Sequence, residues 1–315
     1  MDSTVNKKTN LKSMNLIFKS IGFIILLILI NRIDINKLMD NLFGLKIEYL
    51  LLAVLMTIPF FTIKISRWVF ILKKVGINYS FFNAVKTYGA GLFAGQVTPG
   101  QMGELIRSVF MARQGYDLSL TIGTVILERL FDLLLLLILA VPGITIFLDK
   151  EIGFYLYGSI ILVLSFIVVY LICKKIKAID FLLSKPFFNK ILSKIKINFD
   201  YLKNIITDKQ SLGLVISMTI LAFIINIIRF YLLAMALSID IPIVHFIFGI
   251  AFVSIIGLLP ISVAGIGTRD AAMVLFFSAS GQSPEQAIAF SMLILIVAYG
   301  LNIIWGFPGW LLESK

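Results

Sequence analysis

Residues 95–132 read GQVTPGQMGELIRSVFMARQGYDLSLTIGTVILERLFD. The stretch sets Glu104, Arg107, Glu128, Arg129 and Asp132 into an overwhelmingly apolar chain. It also breaks a helical pattern at Thr98-Pro99-Gly100 and resumes it at once. A soluble domain would turn such charges to water, but here there is almost no wet face to use. Of 315 residues, 59% are hydrophobic and 14% charged, whereas soluble domains average ~25% charged. Several apolar runs exceed the ~20 residues that cross a bilayer as a helix. The short alternating segments of a membrane β-barrel are missing. The chain therefore reads as an all-α polytopic membrane protein.

The net charge of +11 follows the excess of Lys and Arg expected in cytoplasmic loops. The lysines concentrate in one loop without a recognition motif, so nucleic acid is not an expected partner. Cys173 is the single cysteine, which excludes an internal disulfide or a cysteine-cluster metal site. His245, the single histidine, makes no zinc site by itself. No cofactor and no metal are expected.

Taken in order, residues 1–14 form a polar, lysine-bearing cytoplasmic tail. Residues 15–33 form a first span without a small-residue cleavage site after it. Residues 47–72 form a second span, whose end carries Lys64, Arg67, Lys73 and Lys74 and so faces the cytoplasm. Two apolar pieces, 81–95 and 102–113, are each too short to cross and read as a re-entrant hairpin over 81–113. Residues 120–148 are long enough to span, and an acidic turn then leads to a span over 152–173. Residues 174–209 carry nine lysines and three aspartates. Within them Ile191, Ile195, Phe199, Leu202 and Ile206 recur at helical spacing, as in a basic amphipathic helix on anionic lipid or a linker helix packed on the spans. A span over 212–237 follows, then a second broken pair over 243–280, then a span over 287–312 with Trp305 and Trp310 at its cytoplasmic interface.

The two broken regions resemble each other. Glu104 precedes Gly115, and Asp270 precedes Gly281, by eleven residues. Each half, 15–148 and 149–312, then reads as span, span, hairpin, span. Lysine placement runs the halves in opposite directions, an inverted repeat whose substrate site lies where broken helices meet. The expected fold is about six full spans plus two re-entrant helical hairpins, with both termini cytoplasmic in the cell membrane. A version with eight to ten spans keeps the same loop orientations.

Residues 98–107, TPGQMGELIR, followed by ERLFD at 128–132, resemble the lysylphosphatidylglycerol synthase transmembrane family. Residues 260–270, PISVAGIGTRD, resemble that family's second signature, with Asp270 where a glutamate is common. The resemblance covers about residues 15–312. It implies a flippase-like lipid translocator rather than a lysyltransferase, because the chain ends at Lys315 without the soluble aminoacyl-transferase domain of full-length synthases.

Charges inside a membrane pair with one another or mark a transport path. Glu104, Glu128, Asp132 and Asp270 balance Arg107, Arg129, Arg229 and Arg269 and could satisfy one another, Arg129 and Asp132 by a local bridge. Alternatively the half-helices starting near Met102 and Thr268 offer free N–H groups and a positive dipole end to an anion. Thr98, Gly100 and Gly103 at one break, Gly265 and Gly267 at the other, and the eight charged residues are then the expected substrate-binding set. The expected ligand is an anionic phospholipid or a polyprenyl-phosphate-linked lipid. Two other readings stay open: a membrane-embedded headgroup or glycosyl transferase using Glu128 or Asp132, and a membrane partner for a separate soluble transferase docking on 174–209.

Overall fold

A computed structural model describes residues 34–98, 100–147, 205–259 and 262–313, with positions 25, 28, 29 and 31. The tail, most of the span expected over 15–33, the span expected over 152–173, most of 174–209, and Pro99, Pro260 and Ile261 lie outside the described residues. Among the described residues every long regular element is helical.

Asp34 starts α1 (Ile35–Phe43) by accepting from the N–H groups of Asn36 and Lys37. Helices α2 (Ile47–Leu55) and α3 (Thr57–Lys74) follow one another through Met56 as one apolar stretch of 28 residues. Ser80 caps α4 (Phe81–Gln96). The chain then breaks, with Gln101 in the left-handed region at φ 56°, and re-enters a helix through a 3-10 turn (Met102–Leu105) into α5 (Ile106–Arg113). The long α6 (Leu118–Phe147) closes the first half. In the second half α7 (Lys209–Ala236), α8 (Ile243–Leu258) and α9 (Thr268–Ala279) precede α10 (Pro284–Leu293). A π-helical segment (Ile294–Tyr299) joins α10 to α11 (Gly300–Glu313). Among the described residues three stretches, Ile47–Lys74, Lys209–Ala236 and Pro284–Glu313, are long and apolar enough to cross a membrane. The apolar α8 is shorter.

The two halves repeat in length, helix for helix. The first arms α4 and α8 each have 16 residues. The second arms, 102–113 and α9, match, and both end at a left-handed glycine, Gly115 at φ 93° and Gly281 at φ 78°. The closing helices, α6 and Pro284–Glu313, each run 30 residues. Both contain an internal Pro-Gly, Pro142-Gly143 and Pro308-Gly309, at the same sequence separation as Glu104 from Asp270.

Packing exchanges partners between the halves. The first arm α4 packs on α11, and α8 packs on α6, while α7 lies against α2 and α3. The contact positions correspond as well. A Cβ at Gly143 would sit 2.7 Å from the carbonyl oxygen of Phe248, and one at Gly309 would sit 2.5 Å from that of Lys86. Only glycine lets these backbones approach so closely. Two apolar cores result, one around Phe246, Phe276, Phe277 and Phe290, the other around Trp68, Tyr88, Ile71 and Leu72. Trp305 and Trp310 pack on aromatic side chains of the first half, Trp305 on Phe61, Trp310 on Phe93 and Phe110.

Candidate functional site

Between the halves lies a cavity of about 480 Å³. Helices α3, α6, α7, α8, α9 and the π segment contribute to its wall, together with the first break. Much of the lining is apolar, including Phe60, Phe61, Leu133, Ile250 and Met273. Set into it are Lys64, Glu104, Arg129, Asp132, Arg229 and Arg269. Of the residues expected at the site, Gly100, Glu104, Arg129, Asp132, Arg229 and Arg269 line this one cavity.

The first half holds its charges in one network. Arg67, fully buried, donates to Glu128 at 3.0 Å and to Asp132 at 2.7 Å, and reaches the Thr219 hydroxyl of α7 at 2.6 Å. Lys64 meets the other oxygen of Asp132 at 3.0 Å. Glu128 also takes Arg107 at 3.0 Å and the Tyr88 hydroxyl at 3.1 Å. Arg107 is stacked between Trp68 and Tyr88, its guanidinium carbon 4.8 and 4.3 Å from the ring centroids. A Cβ at Gly91 would lie 2.5 Å from Arg107 Cγ, so the side chain needs that glycine to pass. Arg107 thus sits behind the cavity wall, committed to Glu128 and, at 3.4 Å, to Glu104. Arg129 pairs with Glu104 and donates to Gln101 at 3.1 Å. The local bridge between Arg129 and Asp132 is not made; each residue pairs with another element instead.

Each break engages N–H groups of its own. Thr98 accepts from the Gly103 N–H at 2.7 Å, and Gly103 lies so close to Ala94 that a Cβ there would meet its carbonyl at 2.2 Å. At the second break Asp270 accepts from the Gly267 N–H at 2.8 Å, capping its own helix. Gly265 and Gly267 hold the turn at φ 72° and 84°. Asp270 also takes Arg269 at 3.1 Å and the Ser291 hydroxyl. Dipole stabilisation by a first-turn acid, which competes with an anion at a helix start, is therefore realised at Asp270.

The second half is charged differently. Arg229 donates to Asn226 at 2.7 Å and lies over Phe60 and Phe230, yet its Nε and Nη1 find no hydrogen-bond partner among the described residues. Arg269 Nη1 is likewise unpartnered, as are the acceptor oxygens of Gln96 and Asn302. All four side chains are at least nine-tenths buried and line the cavity.

Sequence reasoning missed Lys64 and Arg67 as interior groups, reading them with Lys73 and Lys74 as a cytoplasmic end. Arg67 lies seven residues before Lys74, ~10 Å along a helix, which is deep enough to have shown it. It also stands in register with Arg229, the two helices α3 and α7 ending at Lys74 and Ala236 with the same separation. With Lys64 and Arg67 added, the interior charges no longer balance four against four.

Residues 16–306 match the family model described as the lysylphosphatidylglycerol synthase TM region. A UPF0104 membrane protein of Methanocaldococcus jannaschii is 28% identical, the match covering 94% of each chain. A second UPF0104 membrane protein of that organism is 23% identical over 68% of this chain and 92% of its own length. One from Methanothermobacter thermautotrophicus is 22% identical over 89% of each. No solved structure matches. A match over nearly the whole length, on a chain whose polar site lies among apolar helices, identifies a membrane protein that belongs to the lysylphosphatidylglycerol synthase transmembrane family.

Proposed function

We propose that the protein is a flippase-like translocator. It moves an anionic phospholipid or a polyprenyl-phosphate-linked lipid across the cell membrane, the headgroup passing through the cavity while the tails stay in the bilayer. The observation that carries this reading is the pair of buried arginines, Arg229 and Arg269, presenting unpartnered N–H groups to one cavity between two halves of the chain. Buried cationic side chains with unsatisfied donors are costly and mark a ligand path in membrane proteins. Phosphate oxygens match the planar fork of guanidinium donors.

The transport route follows from the repeat. We read the halves as an inverted pair, with residues 81–113 and 243–280 as re-entrant hairpins. At 1.5 Å per residue α4 and α8 each extend ~24 Å and α9 ~18 Å, all short of a ~30 Å hydrocarbon core. The partner exchange of α4 with α11 and α8 with α6 supports the same reading, and rocking of one half against the other would open the cavity to each leaflet in turn. We place both termini in the cytoplasm, the side favoured by the lysine-rich segments.

Leaflet exchange in proteoliposomes tests the proposal. A fluorescent anionic lipid should become accessible to an external quencher faster with wild type than in empty vesicles. Arg229→Gln combined with Arg269→Gln should return the rate to that of empty vesicles. Equal exchange with and without protein, or with wild type and the double variant, would sink it.

A further inference from the structure

Among the described residues ten charged side chains lie in the interior between the halves: Lys64, Arg67, Arg107, Arg129, Arg229 and Arg269 against Glu104, Glu128, Asp132 and Asp270. The first half shares three acids among four cations, every cation in contact with an acid. In the second half Asp270 serves Arg269 and its own helix cap, and among the described residues Arg229 makes no ion pair. The internal register shows why. Arg67 corresponds to Arg229, but the positions that correspond to Glu128 and Asp132 are Ile294 and Ala298. Both of these line the cavity. The second half has kept the buried arginine without its acids. Among the described residues two positive charges are left in surplus, one in each half, in surroundings where an uncompensated charge is expensive.

We infer that the cavity selects a headgroup carrying two negative charges, a phosphomonoester or diphosphate, over a singly charged phosphodiester. The inference rests on the proposed transport reading and deepens it. A phosphomonoester has lost both protons near pH 7.5, its second pKa lying near ~6. It offers three acceptor oxygens to Arg229 Nε and Nη1 and Arg269 Nη1, which have no hydrogen-bond partner among the described residues. The unpartnered oxygens of Gln96 and Asn302 remain for hydroxyl or amine donors elsewhere on the headgroup. The apolar lining around them suits a lipid rather than free phosphate.

The test uses purified full-length protein in phosphatidylcholine nanodiscs doped with phosphatidic acid, a phosphomonoester, or phosphatidylglycerol, a phosphodiester. Bound lipid is counted by native mass spectrometry at pH 7.5. Wild type should retain phosphatidic acid about tenfold more tightly than phosphatidylglycerol, the size of one good charge-assisted contact. Ala298→Asp, which adds an acid to the cavity wall that Arg229 also lines, should level the two lipids, and Ile294→Glu should do the same if the first variant folds poorly. Soluble pyrophosphate should fail to displace bound phosphatidic acid. Equal retention by wild type, or a preference that survives in both acidic variants, overturns the inference. Full displacement by pyrophosphate overturns the lipid as the source of the charge. Undiminished leaflet exchange alongside equal retention defeats the charge selection alone, whereas a retained preference without any leaflet exchange defeats the transport reading alone.

Discussion

Glu128 joins two buried arginines from different elements, Arg67 of α3 and Arg107 of α5, and accepts the Tyr88 hydroxyl as well. Removing a shared acid leaves buried charge uncompensated. Glu128→Ala should therefore destabilise by about 3–5 kcal/mol, measured by denaturation in detergent. Arg229 makes the opposite case, because it has no acid to lose. Arg229→Met should leave stability unchanged or raised, since replacing an uncompensated buried ion by an apolar side chain relieves a cost, while leaflet exchange falls to the level of empty vesicles. A large loss of stability in Arg229→Met would show that the arginine is structural. Glu104, Glu128, Arg129 and Asp132 stood out in the sequence because they are charges in an overwhelmingly apolar chain. Arg67 was hidden by its neighbours: with Lys64, Lys73 and Lys74 it looked like an interfacial cluster, although it lies ~10 Å along the helix from Lys74. The pairing of Arg129 with Glu104 was illegible for a different reason. It joins α6 to the first break, and no local spacing records it.

Among the elements, the closing helices depend on Gly143 and Gly309, which let α6 and α11 lie against the carbonyls of Phe248 and Lys86. Gly143→Ala and Gly309→Ala should each cost about 1–3 kcal/mol through forced backbone shifts, read as lowered thermal midpoints. Near-equal costs are expected, because the two contacts occupy corresponding places in the two halves. At the start of α7, Asp208 accepts from the Ser211 hydroxyl, the Gln210 N–H and Lys74, which holds its carboxyl below the ordinary value. Its capping contribution is therefore present above the usual carboxylate range near ~4 and is lost as pH falls through the lower folded value. Ser211→Ala should move the carboxyl titration to higher pH, followed by NMR of a labelled Asp208. Helix extents were largely legible, since apolar length and capping residues set them. The detail of the restarts was not. The first break re-enters through a 3-10 turn, and its Gly103 N–H is taken by Thr98 rather than left free for a ligand.

At the scale of the molecule, matched helix lengths and exchanged partners describe two equivalent units around one cavity. The sequence carried part of this in the spacing of Glu104 to Gly115 and Asp270 to Gly281. The recurrent Pro-Gly at 142–143 and 308–309 carries the rest. If the units are inverted, the loops that follow the two hairpins face opposite sides of the membrane. With Cys173→Ser removing the native thiol, Gln114→Cys and Gln282→Cys should be labelled by an impermeant reagent from opposite sides of sealed vesicles. Labelling from one side would break the inverted repeat. The most direct test of the central claim is an electron cryo-microscopy structure in nanodiscs containing phosphatidic acid, with a bound antibody fragment for alignment. Headgroup density within hydrogen-bond reach of both Arg229 and Arg269, its tails leaving toward the bilayer, is expected. Lipid confined to the outer surface, with both arginines satisfied by protein groups, would contradict it.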